Sequence, residues 1–191
     1  MKTILLIEIV AMLFLSCCKK DETVHADSIM AGQVSGNGIL YTNVVPDDTI
    51  SGFSDTEDKT LDLNQDGIDD ILLRSGHITA AGFGNGGSWA IPLGENEIAR
   101  PFEPGSMVDT LSYGETIDKN LVWGKGTSEL YYYYYDQFWT NYGESGLWRY
   151  GKLNYIGIRI YKDDKILYGW IRVEISVVGS QKLMEYAVTT G

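Results

Sequence analysis

The chain has 191 residues, with 26 acidic against 15 basic side chains, a net charge of −11 and 22 glycines. So acidic a surface repels nucleic acid, and the sole lysine or arginine cluster is Lys19-Lys20, which excludes nucleic-acid binding. Cys17 and Cys18 are the only cysteines, so the segment beyond them has no disulfide and depends on a hydrophobic core.

The chain opens with the three parts of a secretory signal: Lys2, an apolar run from Ile4 to Leu15, and small Ser16 ahead of a cysteine. That run is too short to cross a hydrocarbon core of about 30 Å, which takes roughly 20 apolar residues. Leu13-Phe14-Leu15-Ser16-Cys17 resembles the lipobox of bacterial lipoproteins, with Glu8 and Phe14 departing from the usual pattern. The resemblance implies cleavage and acylation, at Cys17 after Ser16, or at Cys18 as the alternative. Cys18-Lys19-Lys20-Asp21-Glu22 resembles the export tag of Bacteroidetes surface lipoproteins, whose members face outward from the outer membrane. A plain hydrophilic spacer is the other reading. The expected organisation is a signal over 1–16, a lipidated flexible tether over 17–30 and one β-domain over 31–191.

From Gln33 onward, short β-type runs alternate with Gly, Asn, Asp and Pro clusters, and no sustained 3.6-residue period is visible. Ile39 to Val45 reads as a strand ending at Pro46-Asp47-Asp48, and Ile71 to Leu73 as one ending at Arg74-Ser75-Gly76. Gly82 to Gly87 reads as an exposed loop, and His77 as a turn residue. The clearest pattern is C-terminal. Ile156, Ile158 and Ile160 share one face, then Leu167, Gly169, Ile171, Val173, Ile175 and Val177 share another after the turn Lys162-Asp-Asp-Lys165. This predicts an antiparallel hairpin with one face in the core, joined by a strand over Lys182 to Val188. The fold expected is all-β, a mostly antiparallel β-sandwich or related open barrel.

The motifs Asp62-Leu-Asn-Gln-Asp-Gly-Ile-Asp-Asp70, YIGIRIYKDDKILYGWIRVEI and MEYAVTTG resemble those of an uncharacterised family of secreted and lipoprotein β-domains. That resemblance implies fold and compartment, and no activity.

Three groups of residues carry chemistry. Asp62, Asn64, Asp66, the Ile68 carbonyl and Asp70, with Gly67 at the sixth position, match a strand-flanked calcium loop. A hard cation takes about six to eight oxygens, and glycine permits the turn that converges them. Leu73 stands where an EF-hand needs glutamate, and the alternative is a metal-free Asx turn. Second, five tyrosines run from Tyr131 to Tyr135, and a strand must send them alternately to both faces. Tyr132, Tyr134, Trp139 and Tyr142 are candidates for stacking on sugar rings, against the plainer role of stabilising a sheet. Third, Asp136, Glu144 and Glu129 among these aromatics leave a glycan-active hydrolase as the alternative function. His25 and His77 have no partner at zinc-site spacing. The leading expectation is a lipid-anchored accessory module binding a glycan or a protein, with structural calcium and no catalytic site.

Overall fold

The computed structural model describes residues 27–52, 55–80, 83–136, 141–148, 150–176 and 179–191. Cys17, Cys18, His25 and Trp139 lie outside them.

The predicted C-terminal hairpin forms, with β11 (Leu153–Lys162) and β12 (Lys165–Ile175) in continuous antiparallel register around the two-residue turn Asp163-Asp164. Asp163 takes φ 53°, a left-handed conformation that aspartate tolerates better than most residues. The third run forms β13 (Gln181–Thr189), which pairs with β12. β2 (Ile39–Ile50), β6 (Glu97–Arg100) and β8 (Val122–Gly124) complete a six-stranded sheet in the order β2-β13-β12-β11-β6-β8. A five-stranded sheet in the order β10-β9-β5-β4-β3 opposes it. Its strands are β3 (Glu57–Leu61), β4 (Ile71–Ala80), β5 (Phe83–Pro92), β9 (Ser128–Asp136) and β10 (Tyr142–Ser145). All strand pairs are antiparallel, and neither sheet closes on itself. The fold is a β-sandwich.

Between the sheets, Ile156, Ile158, Ile160, Leu167, Ile171 and Val173 meet Leu61, Leu63, Ile71, Leu73, Ala90 and Leu130 in one apolar cluster. Gln181 crosses this interior: its Nε2 donates to the Arg74 carbonyl at 2.6 Å and to the Trp89 carbonyl at 3.3 Å. A buried amide so placed ties β13 of one sheet to β4 and β5 of the other.

The hairpin was expected to bury one face, and it buries both. β1 (Ser28–Met30) and β7 (Thr116–Asp118) form a two-stranded ribbon over the outer side of the six-stranded sheet. Ile29, Leu111, Ile117 and Trp123 there enclose Tyr155, Tyr168 and Trp170, and Trp170 is 0% exposed. The folded domain therefore starts before residue 31, because Ile29 is part of this second core.

Three expected breaks are strand instead. β2 continues through Pro46, Asp47 and Asp48. It is an edge strand, and its register with β13 shifts between Leu183 and Glu185, so the missing Pro46 N–H disrupts no regular ladder. β4 runs on through Arg74, Gly76 and His77. The glycine-rich stretch from 83 onward is the central strand β5, not an exposed loop. Tyr135 and Tyr133, facing Gly84 and Gly86 in register, fill the space that glycines leave and shield the backbone.

Candidate functional site

The acidic loop joins β3 to β4. Asp62 Oδ1 and Asn64 Oδ1 both accept from the Asp66 N–H, at 3.1 and 3.0 Å, while Asp62 Oδ2 accepts from Gly67 N at 2.7 Å and Asp66 Oδ1 from Ile68 N at 3.0 Å. Gln65 and Gly67 take φ of 59° and 89°, and these turns draw the three side chains together. The ammonium of Lys162, at the hairpin tip, lies 3.1 Å from Asp66 Oδ2 and holds that carboxyl below its usual range, with the Ile68 N–H adding to the effect.

Asp70 has a different task. It is 3% exposed, its Oδ2 accepts from the N–H groups of Leu63 and Asn64 at 2.9 and 3.4 Å, and Asn96 Nδ2 donates to its Oδ1 at 3.2 Å. Burial pushes its carboxyl pKa up despite those bonds. Asp62, Asn64 and Asp66 of the expected cation loop thus lie together, with their side-chain oxygens accepting from the loop's own N–H groups and Asp66 facing Lys162. Asp70 instead braces the two ends of the loop from inside. Among the described residues, no group of three or more His, Cys, Asp or Glu side chains gathers as a metal site.

The tyrosine run divides between two faces. The register of β9 with β5 shifts between Ser88 and Trp89, opposite Leu130, so Leu130 and Tyr131 both turn inward. Tyr131 and Tyr133 are then buried, with ring centroids 6.0 Å apart, and Tyr133 stacks on Tyr135 at 6.3 Å. Burial, helped by Tyr142 and Glu144, raises the Tyr131 pKa strongly, and burial pushes Tyr133 up to about 12. Tyr132 and Tyr134 point to the outer face, and Tyr134 is 50% exposed. Tyr142, on the edge strand β10, is opposite Tyr135 in register and itself 50% exposed; its hydroxyl and that of Tyr131 donate to Glu144 Oε1. Of the four stacking candidates, the structure brings Tyr132 and Tyr134 together and separates Tyr142 from them.

The carboxylates near this run are also divided. Glu144 shares the inner face with Tyr133, whereas Glu129 is level with Trp89 on the outer face and accepts from Ser145 Oγ at 2.6 Å. Asp136 is buried and accepts from Asn141 Nδ2 at 2.8 Å. Glu129 and Glu144 thus start from opposite faces of the five-stranded sheet at its β9–β10 edge.

The outer face of the five-stranded sheet holds a cleft that sequence patterning missed. Trp89, Arg74, Gly76, Ile78, Asn85 and Thr56 line about 240 Å³. Its floor is bare backbone: a Cβ on Gly87 would stand 3.1 Å from the Trp89 ring, and one on Gly76 3.5 Å from it. Arg74 grips Asp58 with two bonds, Nε to Oδ1 at 2.7 Å and Nη2 to Oδ2 at 2.6 Å, which lowers the Asp58 pKa. Tyr134 pairs with Asn85, and Tyr132 with Gly87, so both candidates flank the cleft. A lone tryptophan in a glycine-rich stretch has no periodicity to announce it. The pairing of Gly76 with Gly87 could have served as the signal, because two glycines in register leave room for a ring.

No protein-family model, curated protein or solved structure matches this chain.

Proposed function

We propose that this protein is a lipid-anchored surface module that binds a glycan on the outer face of its five-stranded sheet. The observation that carries the reading is the cleft in which Trp89 lies over the glycine floor of Gly76 and Gly87, with Tyr134 and Asn85 beside it. An indole offers a flat apolar surface to a pyranose ring, and Asn85, Thr56 and the Arg74–Asp58 pair supply donors and acceptors for hydroxyls. Cys17, or Cys18, is the acylation site in this reading, and Lys19 to Glu22 direct the domain to the cell exterior. Two or three acyl chains, at about 0.8 kcal/mol per methylene, hold a domain of this size on the outer membrane.

Calcium belongs to the same proposal. Asp62, Asn64, Asp66 and the Ile68 carbonyl would hold it, the ion would brace the β3–β4 connection, and the resemblance to secreted β-domains supports the compartment. Affinity electrophoresis through gels containing neutral polysaccharides tests the binding. Retardation should occur with at least one polymer and weaken in Trp89→Ala and Tyr134→Ala. A wild type that migrates freely in every gel would refute it. Fatty-acid labelling lost in Cys17→Ser tests the anchor, and labelling that survives there moves it to Cys18.

A further inference from the structure

A larger groove lies on the other side of the molecule, over the outer face of the six-stranded sheet beyond the edge of the β1–β7 ribbon. It encloses about 630 Å³, within the range of about 300–1,000 Å³ typical of ligand sites, and Tyr113, Leu153, Tyr155, Arg172 and Glu185 are among its lining residues. We propose that this groove is a second saccharide site, for a neutral, hydroxyl-rich ring.

Its floor is a chain of polar groups fixed to the second core. The Tyr41 hydroxyl donates to Glu185 Oε2 at 2.6 Å, Arg172 Nη1 donates to Glu185 Oε1 at 2.6 Å, and the Arg172 guanidinium lies 5.9 Å from the Tyr155 ring centre. Arg172 and Glu185 retain 28% and 15% side-chain exposure, so both keep an edge toward the groove. Together they carry no net charge. A guanidinium only donates and a carboxylate only accepts, whereas a hydroxyl does both, so adjacent sugar hydroxyls can bridge the pair. An anionic ligand would instead meet Glu185, with Glu115 on the neighbouring turn.

One wall is an aromatic ring held out in solvent. Tyr113 is 78% exposed, yet its turn is pinned where Gly114 N donates to the Ala31 carbonyl at 2.9 Å and Glu115 N to the Ser112 carbonyl at 3.2 Å. Its ring rests on Gly32, where a Cβ would come 2.5 Å from Tyr113 Cδ2. Gly32 also needs its φ of 83°, so two constraints make that position glycine. An exposed aromatic ring lying against a glycine on a hydrogen-bonded turn suits stacking against a sugar face.

The site extends the glycan reading above but stands on separate residues, so the two can fail separately. The test is amide chemical-shift mapping of the full-length protein titrated with cellobiose, xylobiose, maltose and a galacturonate disaccharide. At least one neutral probe should shift Gly32, Ser112 to Gly114 and Arg172. The shifts should persist in Trp89→Ala and weaken at least about tenfold in affinity in Tyr113→Ala. Tyr113→Leu, which keeps apolar contact with Gly32 but has no ring face, should weaken binding equally and serves if the alanine variant loses its fold. The groove is refuted if no probe shifts these residues, if the uronate alone does, or if binding there survives both Tyr113 variants. Binding lost only in Trp89→Ala refutes this groove and leaves the outer-face cleft standing.

Discussion

The ammonium of Lys162 lies 3.1 Å from the carboxylate of Asp66, joining the tip of the C-terminal hairpin to the acidic loop between β3 and β4. The protein thus places a cation of its own against the oxygens expected to bind calcium. A bound ion would have to displace that ammonium from Asp66, so Lys162→Met should tighten calcium binding. Calcium should raise the melting temperature of the wild type, raise it at lower concentration in Lys162→Met, and leave Asp66→Ala unchanged. Scanning calorimetry with calcium and with chelator measures this. Melting temperatures insensitive to calcium in both wild type and Lys162→Met would remove the ion from the loop.

Asp70 should matter more to stability than its neighbours in the loop. Removing its carboxylate in Asp70→Ala leaves the N–H groups of Leu63 and Asn64 without their acceptor, and the Asn96 amide keeps only the Asp70 backbone carbonyl. A loss of about 1–3 kcal/mol in urea unfolding is expected, the range for buried donors left unsatisfied. Asp62→Ala, in the exposed part of the loop, should lose less. The opposite ranking would contradict the bracing role.

Alkaline pH should unfold the protein through its inward tyrosines. An acid whose pKa is raised in the folded state stabilises the fold fully below its unfolded value and loses that contribution as pH climbs. For Tyr133 the window runs from about 10, the usual phenol value, to about 12, and Tyr131 is displaced in the same direction. Urea midpoints should therefore fall across that interval, and Tyr133→Phe should flatten part of the slope. A flat profile would mean that these rings reach solvent.

Gly86→Ala tests the tyrosine-over-glycine packing. The new Cβ would stand 2.7 Å from both the Gly76 carbonyl oxygen and the Tyr133 hydroxyl, and the backbone oxygen is held in a sheet. A cost of about 1–3 kcal/mol is expected, as for other overpacked interiors. Gly94→Ala, in an open turn with nothing near its Cβ, should show only the smaller strain of its φ of 60°.

Ile29→Ala tests whether the ribbon belongs to the domain. Its side chain is buried opposite Ile117, so about 2 kcal/mol or more should be lost. Proteolysis should then open the chain near Ser28 to Met30. A stability change near zero would return these residues to the tether.

The hairpin and its partner strand were legible because Ile156 to Ile160 and Leu167 to Ile175 alternate with period two. Hydropathy counts only side chains, so it could not find β5, whose register rests on glycines covered by tyrosines two strand positions apart. Pro46 reads locally as a break, yet an edge strand with an irregular register accommodates it. The acidic loop was legible as a turn from its spacing, but the inward direction of Asp70 depends on Asn96, 26 residues away. Trp89 and the groove beside Arg172 and Glu185 were hidden for a common reason. Each is assembled by strand pairing between distant segments, and no local spacing records it.

The extra residue at Leu130 works like a frameshift in the strand. Before it, Ser128 points inward; after it, the odd-numbered tyrosines do, and Tyr134 is left facing the solvent. Were the insertion absent, the same five rings would trade places, with the inner stack turned out and the outer pair turned in. Which tyrosines of this sheet can meet another molecule thus depends on one fully buried leucine.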